Sequence, residues 1–114
     1  MASWESGLCE LREANSVLSE HHYLGPIRNP SLVTGLWQDG TLLAVQAWGT
    51  PTSRRLPSDG SWLELKRWCI TPDAPENTGS RQHGRTARLL RAERPEATTL
   101  VSYSDPSVGH TGAL

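Results

Sequence analysis

The period of the apolar positions changes several times along the chain, and each change marks an element. Leu8, Leu11, Ala14, Val17 and Leu18 recur at steps of three, three, three and one. That is one stripe of a helix, predicted over 9–22 and ended by Gly25-Pro26. Residues 32–37 and 41–49 are short runs rich in Leu, Val and Trp and read as strands. Asp39-Gly40 lies between them and tolerates the positive φ that a tight hairpin needs. Over 61–70 the period is two. Trp62, Glu64, Lys66 and Trp68 fall on one face, Leu63, Leu65, Arg67 and Cys69 on the other. A Pro/Asn/Gly connector follows. A helix is then predicted over 81–93, with Ala87, Leu89, Leu90 and Ala92 as its apolar part, and a strand over 98–103. The order helix, hairpin, strand, helix, strand predicts one α/β (α+β) domain over 1–114. Its strand–helix–strand unit calls for a parallel crossover.

Composition sharpens this picture in three ways. The chain has 114 residues, five tryptophans and no phenylalanine, so indoles supply the aromatic bulk of a single small core. The net charge is only −1, but it is unevenly spread. Glu5, Glu10, Glu13 and Glu20 face Arg12 alone at the start, whereas Arg81, Arg85, Arg88, Arg91 and Arg94 cluster with Glu93. One end of the fold is therefore expected to be positive. Cys9 and Cys69 belong to no C-x-x-C pair, which excludes a zinc knuckle. No short ligand spacing supports another metal site. No run approaches the ~20 apolar residues of a membrane span, and residues 1–8 hold no apolar leader segment. The expectation is a soluble, cytoplasmic protein without a membrane partner.

The stretch Arg81-Gln82-His83-Gly84-Arg85-Thr86 carries the most chemistry. Placed at the mouth of the second helix, it would let phosphate oxygens approach Gly84 closely. The first helix amides and the Arg81 and Arg85 side chains would then surround a diphosphate. Taken alone, a solvated arginine-rich helix start fits equally well.

The element order, with Arg81, Gly84 and Thr86 at Arg-x-x-Gly-x-Thr, resembles the acyl-CoA-dependent N-acetyltransferase (GNAT) fold. Wider motifs resemble the phage Mom-type DNA-modification proteins. They are His21-His22-Tyr23-Leu24-Gly25, Trp48-Gly49-Thr50-Pro51, Leu63 to Ile70, Ala74 to Arg81, Leu100 to Pro106 and Gly109-His110-Thr111-Gly112. The resemblance runs over roughly 20–112. It implies a GNAT-like mixed sheet flanked by helices, C-terminally shortened because the chain ends at Leu114. It also implies addition of a methylcarbamoyl-type group to the exocyclic N6 of adenine in DNA, from acyl-CoA or a related donor.

On that reading His22, Ser102, Tyr103, Asp105 and His110 are the catalytic candidates. His22 would be the base at the end of the first helix, and Tyr103 and Asp105 would sit at the carboxyl end of a strand. Arg67, Arg81, Gly84, Arg85 and Thr86 would hold the donor. Arg54, Arg55, Arg88 and Arg91 would contact DNA phosphates. Two rivals remain: an ordinary N-acetyltransferase on a small amine or protein, and a shortened inactive domain that only binds a nucleotide-like ligand, DNA or a partner chain, its open sheet edge inviting pairing such as a homodimer. A Ser–His–Asp hydrolase lacks a nucleophile elbow.

Overall fold

Asp39 (φ 50°) and Gly40 (φ 83°) close the predicted hairpin with two left-handed residues, the geometry of a two-residue turn that matches strand twist. The computed structural model describes residues 3–22, 24–52 and 55–102. In chain order it contains β1 (Trp4–Leu8), α1 (Leu11–His21), β2 (Leu32–Gln38), β3 (Thr41–Gly49), β4 (Trp62–Ile70), α2 (Thr78–Glu93) and β5 (Thr99–Ser102). These strands form one sheet in sequence order. Neighbours are antiparallel except β4 and β5, which run parallel across the α2 crossover. The mixed sheet and the parallel crossover are as the pattern predicts.

Each helix covers one face. On the α1 face Ala14 and Leu18 pack on Val33, Val45, Ala47 and Cys69, with Ile27 closing the end. Asn15 ties the chain beyond α1 back onto the helix. Its side-chain nitrogen donates to the Ile27 carbonyl at 3.0 Å, and its oxygen accepts the Ile27 amide at 2.9 Å. On the α2 face Leu32, Trp48, Leu63, Leu65 and Leu90 form a second cluster.

The structure departs from the pattern in three places. Residues Trp4–Leu8 form an edge strand on β2 where the pattern predicts no element. The helix α2 starts at Thr78, three residues ahead of Arg81. Finally, β4 does not alternate regularly. Ala47 pairs with Arg67 but Trp48 with Leu65, so Lys66 is an extra residue. Such a bulge shifts the side-chain parity of the strand. Leu65 joins the α2 cluster, while Arg67 turns to the α1 face beside Cys69. Trp68 returns to the α2 face, where its Nε1–H donates to Gln82 Oε1 at 2.9 Å.

Candidate functional site

The bulge places two consecutive cations, Lys66 and Arg67, on the α1 side of β4. Arg67 donates from Nε to the Gly25 carbonyl at 3.2 Å and from Nη1 to the Lys66 carbonyl at 3.0 Å. Both partners are neutral carbonyls, so the charge itself is not matched by a carboxylate among the described residues. Lys66 donates to Thr52 Oγ1 at 2.6 Å and lies 3.7 Å from Glu64. Glu64 is buried and accepts the Thr52 amide at 2.8 Å. This trio clamps the start of the loop after β3 against β4.

The Arg67 guanidinium reaches the turn that follows α1. His22 closes that helix, its amide donating to the Leu18 carbonyl and its carbonyl accepting from Gly25. Its Nδ1 accepts the Leu24 amide at 3.1 Å. A neutral imidazole with one nitrogen used as acceptor carries its proton on the other. With Nδ1 accepting the Leu24 amide, that nitrogen of His22 is not open to act as a base in this arrangement. His21 is exposed and lies 3.7 Å from Glu20.

The described part of β5 ends where the bulge begins, with Ser102 paired to Leu65. Paired residues share a face, so Ser102 stands on the α2 side with Leu65, whereas His22 and Arg67 stand on the α1 side. The structure thus separates Ser102 from His22 and Arg67. Tyr103, Asp105, His110 and Arg54 lie outside the described residues. Arg55 is exposed on the loop between β3 and β4.

The phosphate motif is corrected most. Because α2 begins at Thr78, Gly84 is the seventh helical residue and not the mouth of the helix. A Cβ built on Gly84 would meet nothing within 4 Å, so no close approach depends on the glycine. Thr86 is buried and its hydroxyl lies 3.1 Å from that of Thr34 on β2, turned away from any ligand outside the helix. The Arg81 guanidinium lies over the Trp4 ring, 4.4 Å from its centroid. Arg85 lines the β1 flank of α2 with Arg88. The free helix amides are instead those of Gly79 and Ser80, at the end of β4. Thr78 N–H bonds the Pro75 carbonyl and Arg81 N–H the Asn77 carbonyl, while Gly79 and Ser80 have no partner among the described residues. An anion at this helix start meets two open donors. The sequence signal for it is Asn77-Thr78 after Pro75, a capping pattern that the arginine-rich run outweighs.

Neither cysteine is a candidate nucleophile. The Cys9 thiol is pushed up to about 12 by burial first and then by Glu13 and Glu10, and burial raises Cys69 as well. Among the described residues no three His, Cys, Asp or Glu side chains converge as a metal site, and no helix is long and apolar enough to cross a membrane.

This architecture is that of the GNAT acyltransferases. The chain is similar to a ribosomal-protein-alanine N-acetyltransferase from Brucella melitensis biovar Abortus (TM-score 0.64, 14% identity, covering 90% of this chain and 81% of that one). It is also similar to a GNAT family acetyltransferase from Staphylococcus aureus (TM-score 0.63, 8% identity, 98% and 94% covered). An aminoglycoside acetyltransferase from an uncultured soil metagenomic sample superposes comparably (TM-score 0.62, 9% identity, 93% and 86% covered). At these identities the likeness is one of fold. Among curated proteins none matches by sequence. The particular assignment comes from the family comparison: residues 4–114 match the model of the Mom protein family, and the chain belongs to it.

Proposed function

We propose that this protein is a DNA-modifying transferase that places an acyl-like group on the exocyclic N6 of adenine, using acyl-CoA or a related donor. Membership of the Mom family on a GNAT fold supports an acyltransferase-like activity. The observation that carries the finer reading is the β4 bulge. It puts the Arg67 charge, which no described carboxylate matches, beside the turn after α1, at the point where the described β4–β5 pairing ends.

A diphosphate-bearing donor at the start of α2 would meet the Gly79 and Ser80 amides, with Arg81 to Thr86 further along the helix. When bound, such a donor supplies the activated carbonyl carbon. The protein's task is then to hold the acceptor amine against that carbon and to manage charge. Adenine N6 is a weak nucleophile because its lone pair is delocalised into the ring. His22, at the turn beside Arg67, is the candidate to polarise the carbonyl oxygen by hydrogen bonding. The remaining donors of the Arg67 fork hold an anionic group of donor or nucleic acid. As the C–N bond forms and the bond from that carbon to the donor's leaving group breaks, the amine proton passes to a carboxylate, for which Asp105 is the candidate in the chain. Arg54, Arg55 and Arg91 contribute phosphate contacts, and the base leaves the stack to be reached.

Mass spectrometry of nucleosides from plasmid DNA coexpressed with the protein tests this directly. A modified deoxyadenosine, lost with the catalytic candidates replaced by His22→Ala and Asp105→Asn, is the expected result. Unmodified DNA together with acetyl-CoA turnover on amines without DNA would replace it with the ordinary N-acetyltransferase reading.

A further inference from the structure

The arginines of α2 do not point where a donor would lie. At 100° per residue, Arg81, Arg85, Arg88 and Ala92 share one flank of the helix. The buried positions Thr78, Gln82, Thr86 and Leu90 form the seat. The arginine flank overhangs β1. Arg81 covers Trp4, and an open groove of about 460 Å³ lies between Ser6 of β1 and Arg85, Arg88, Leu89 and Ala92 of α2. Strand β1 is the sheet edge and β4 is three strands away, about 14 Å at ~4.8 Å per strand. The groove is therefore separate from the bulge.

Charge sets its occupant. Among the described residues no carboxylate lies within 4.0 Å of Arg81, Arg85 or Arg88. Over the same strand the other sheet face is acidic. Glu5 is paired to Trp37, whose Nε1 lies 3.3 Å from Glu13 of α1. A second copy adding antiparallel to β1 about a two-fold axis would bring two arginine flanks side by side. An acidic strand added there would send alternate side chains toward Glu5 and Glu13. A chain of phosphates lying only on the α2 side meets arginines, the Ser6 hydroxyl and the edge of β1, and avoids the acidic face. The three guanidinium positions span about 10 Å along the helix, at 1.5 Å per residue. One DNA strand presents a phosphate for each ~3.4 Å of duplex axis, so the arginine flank is long enough to meet more than one phosphate.

We propose that the groove between β1 and the Arg81–Arg85–Arg88 flank of α2 docks the sugar–phosphate backbone of a DNA duplex away from the reacting base. The proposal rests on DNA being the substrate. It moves Arg81 and Arg85 from donor binding to the same surface as Arg88.

The test is equilibrium binding of a fluorescent duplex oligonucleotide across a salt series, without donor. The variants are Arg85→Gln/Arg88→Gln, Arg85→Glu/Arg88→Glu and, as a charge-matched control, Arg12→Gln/Arg28→Gln. All four substituted arginines lie at least partly open to solvent, and circular dichroism checks that the fold persists. In the neutral groove variant the slope of log affinity against log salt should fall by about 0.9 for each phosphate no longer neutralised. It should fall further on reversal and stay unchanged in the control. Acetyl-CoA affinity should be unaffected by all three. Equal slopes in groove variant and control would overturn the proposal, as would loss of acetyl-CoA binding in the groove variant. Displacement of the duplex by polyglutamate at equal charge would assign the groove to an acidic polypeptide instead. Because no turnover is measured, absence of modified adenine in the nucleoside assay would count against the transfer reaction and not against the groove.

Discussion

The two faces of the sheet are held by different chemistry. Under α1 the packed cluster is apolar, Ala14, Leu18, Ile27, Val33, Val45, Ala47 and Cys69, with the buried Glu64 of β4 beyond it on the same face. Under α2 the end near Leu90 is apolar, but the middle is polar. Thr34, Gln46 and Trp68 stand in one row across β2, β3 and β4. Thr86 lies over that row through its hydroxyl on Thr34, and Gln82 through its bond to Trp68. Gln46 is completely buried, and neither of its amide atoms has a protein partner among the described residues. Nonspecific burial stabilises the first face and tolerates any shape of similar volume. The second depends on hydrogen bonds, which contribute little net but are costly when one partner is removed. The helix whose first turn leaves the Gly79 and Ser80 amides open among the described residues is thus the one seated less firmly by apolar packing.

The largest effect expected on this comparison is the contrast between Leu18→Ala and Gln46→Met. Leu18 is fully buried, so its truncation should cost roughly 2–5 kcal/mol. Gln46→Met keeps the length of the side chain and removes a buried amide. It should leave stability within about 1 kcal/mol of the parent. Urea denaturation of both variants measures the difference. If Gln46→Met costs as much as Leu18→Ala, the amide is hydrogen-bonded in solution and the two faces are more alike than described.

A smaller effect is expected at the hydroxyl pair. Thr86→Val alone strands the buried Thr34 hydroxyl and should destabilise by about 1–2 kcal/mol. Adding Thr34→Val removes the stranded group, and the double variant should recover most of the stability. A thermodynamic cycle on the four proteins gives the coupling directly. Strictly additive effects would mean that the approach of the two hydroxyls to 3.1 Å contributes no energy.

The same contrast explains what is legible in the sequence. The seat of α1 follows from its apolar period, because nonspecific burial leaves a periodic trace. The seat of α2 falls at Thr78, Gln82, Thr86 and Leu90, three of them polar, so Ala87, Leu89 and Ala92 suggest the wrong face. Strand β1 is invisible because its five residues gain their stability from pairing with β2, some thirty residues away. The β4 bulge cannot be read from alternation, since an extra residue conserves composition while reversing parity. It nevertheless decides that Arg67 and Leu65 face opposite ways. The position of His22 at the end of α1 is legible in the sequence, but the bond of its Nδ1 to the Leu24 amide is visible only in three dimensions.

The smallest effect has the opposite sign and bears on the donor. Gly84 is exposed within α2, its φ is not positive, and a Cβ there would meet nothing within 4 Å. A glycine inside a helix costs roughly 0.5–1 kcal/mol relative to alanine. Gly84→Ala should therefore raise the denaturation midpoint slightly. If Gly79 and Ser80 supply the diphosphate amides, acetyl-CoA affinity measured by calorimetry should also be unchanged. A donor held at Arg81 to Thr86 would respond differently, because the added methyl would stand between the phosphates and the main chain. Weaker binding by a more stable protein would return the donor to the middle of α2. It would also mean that the helix unwinds at Gly84 on binding, a rearrangement made easier by the polar seat beneath it.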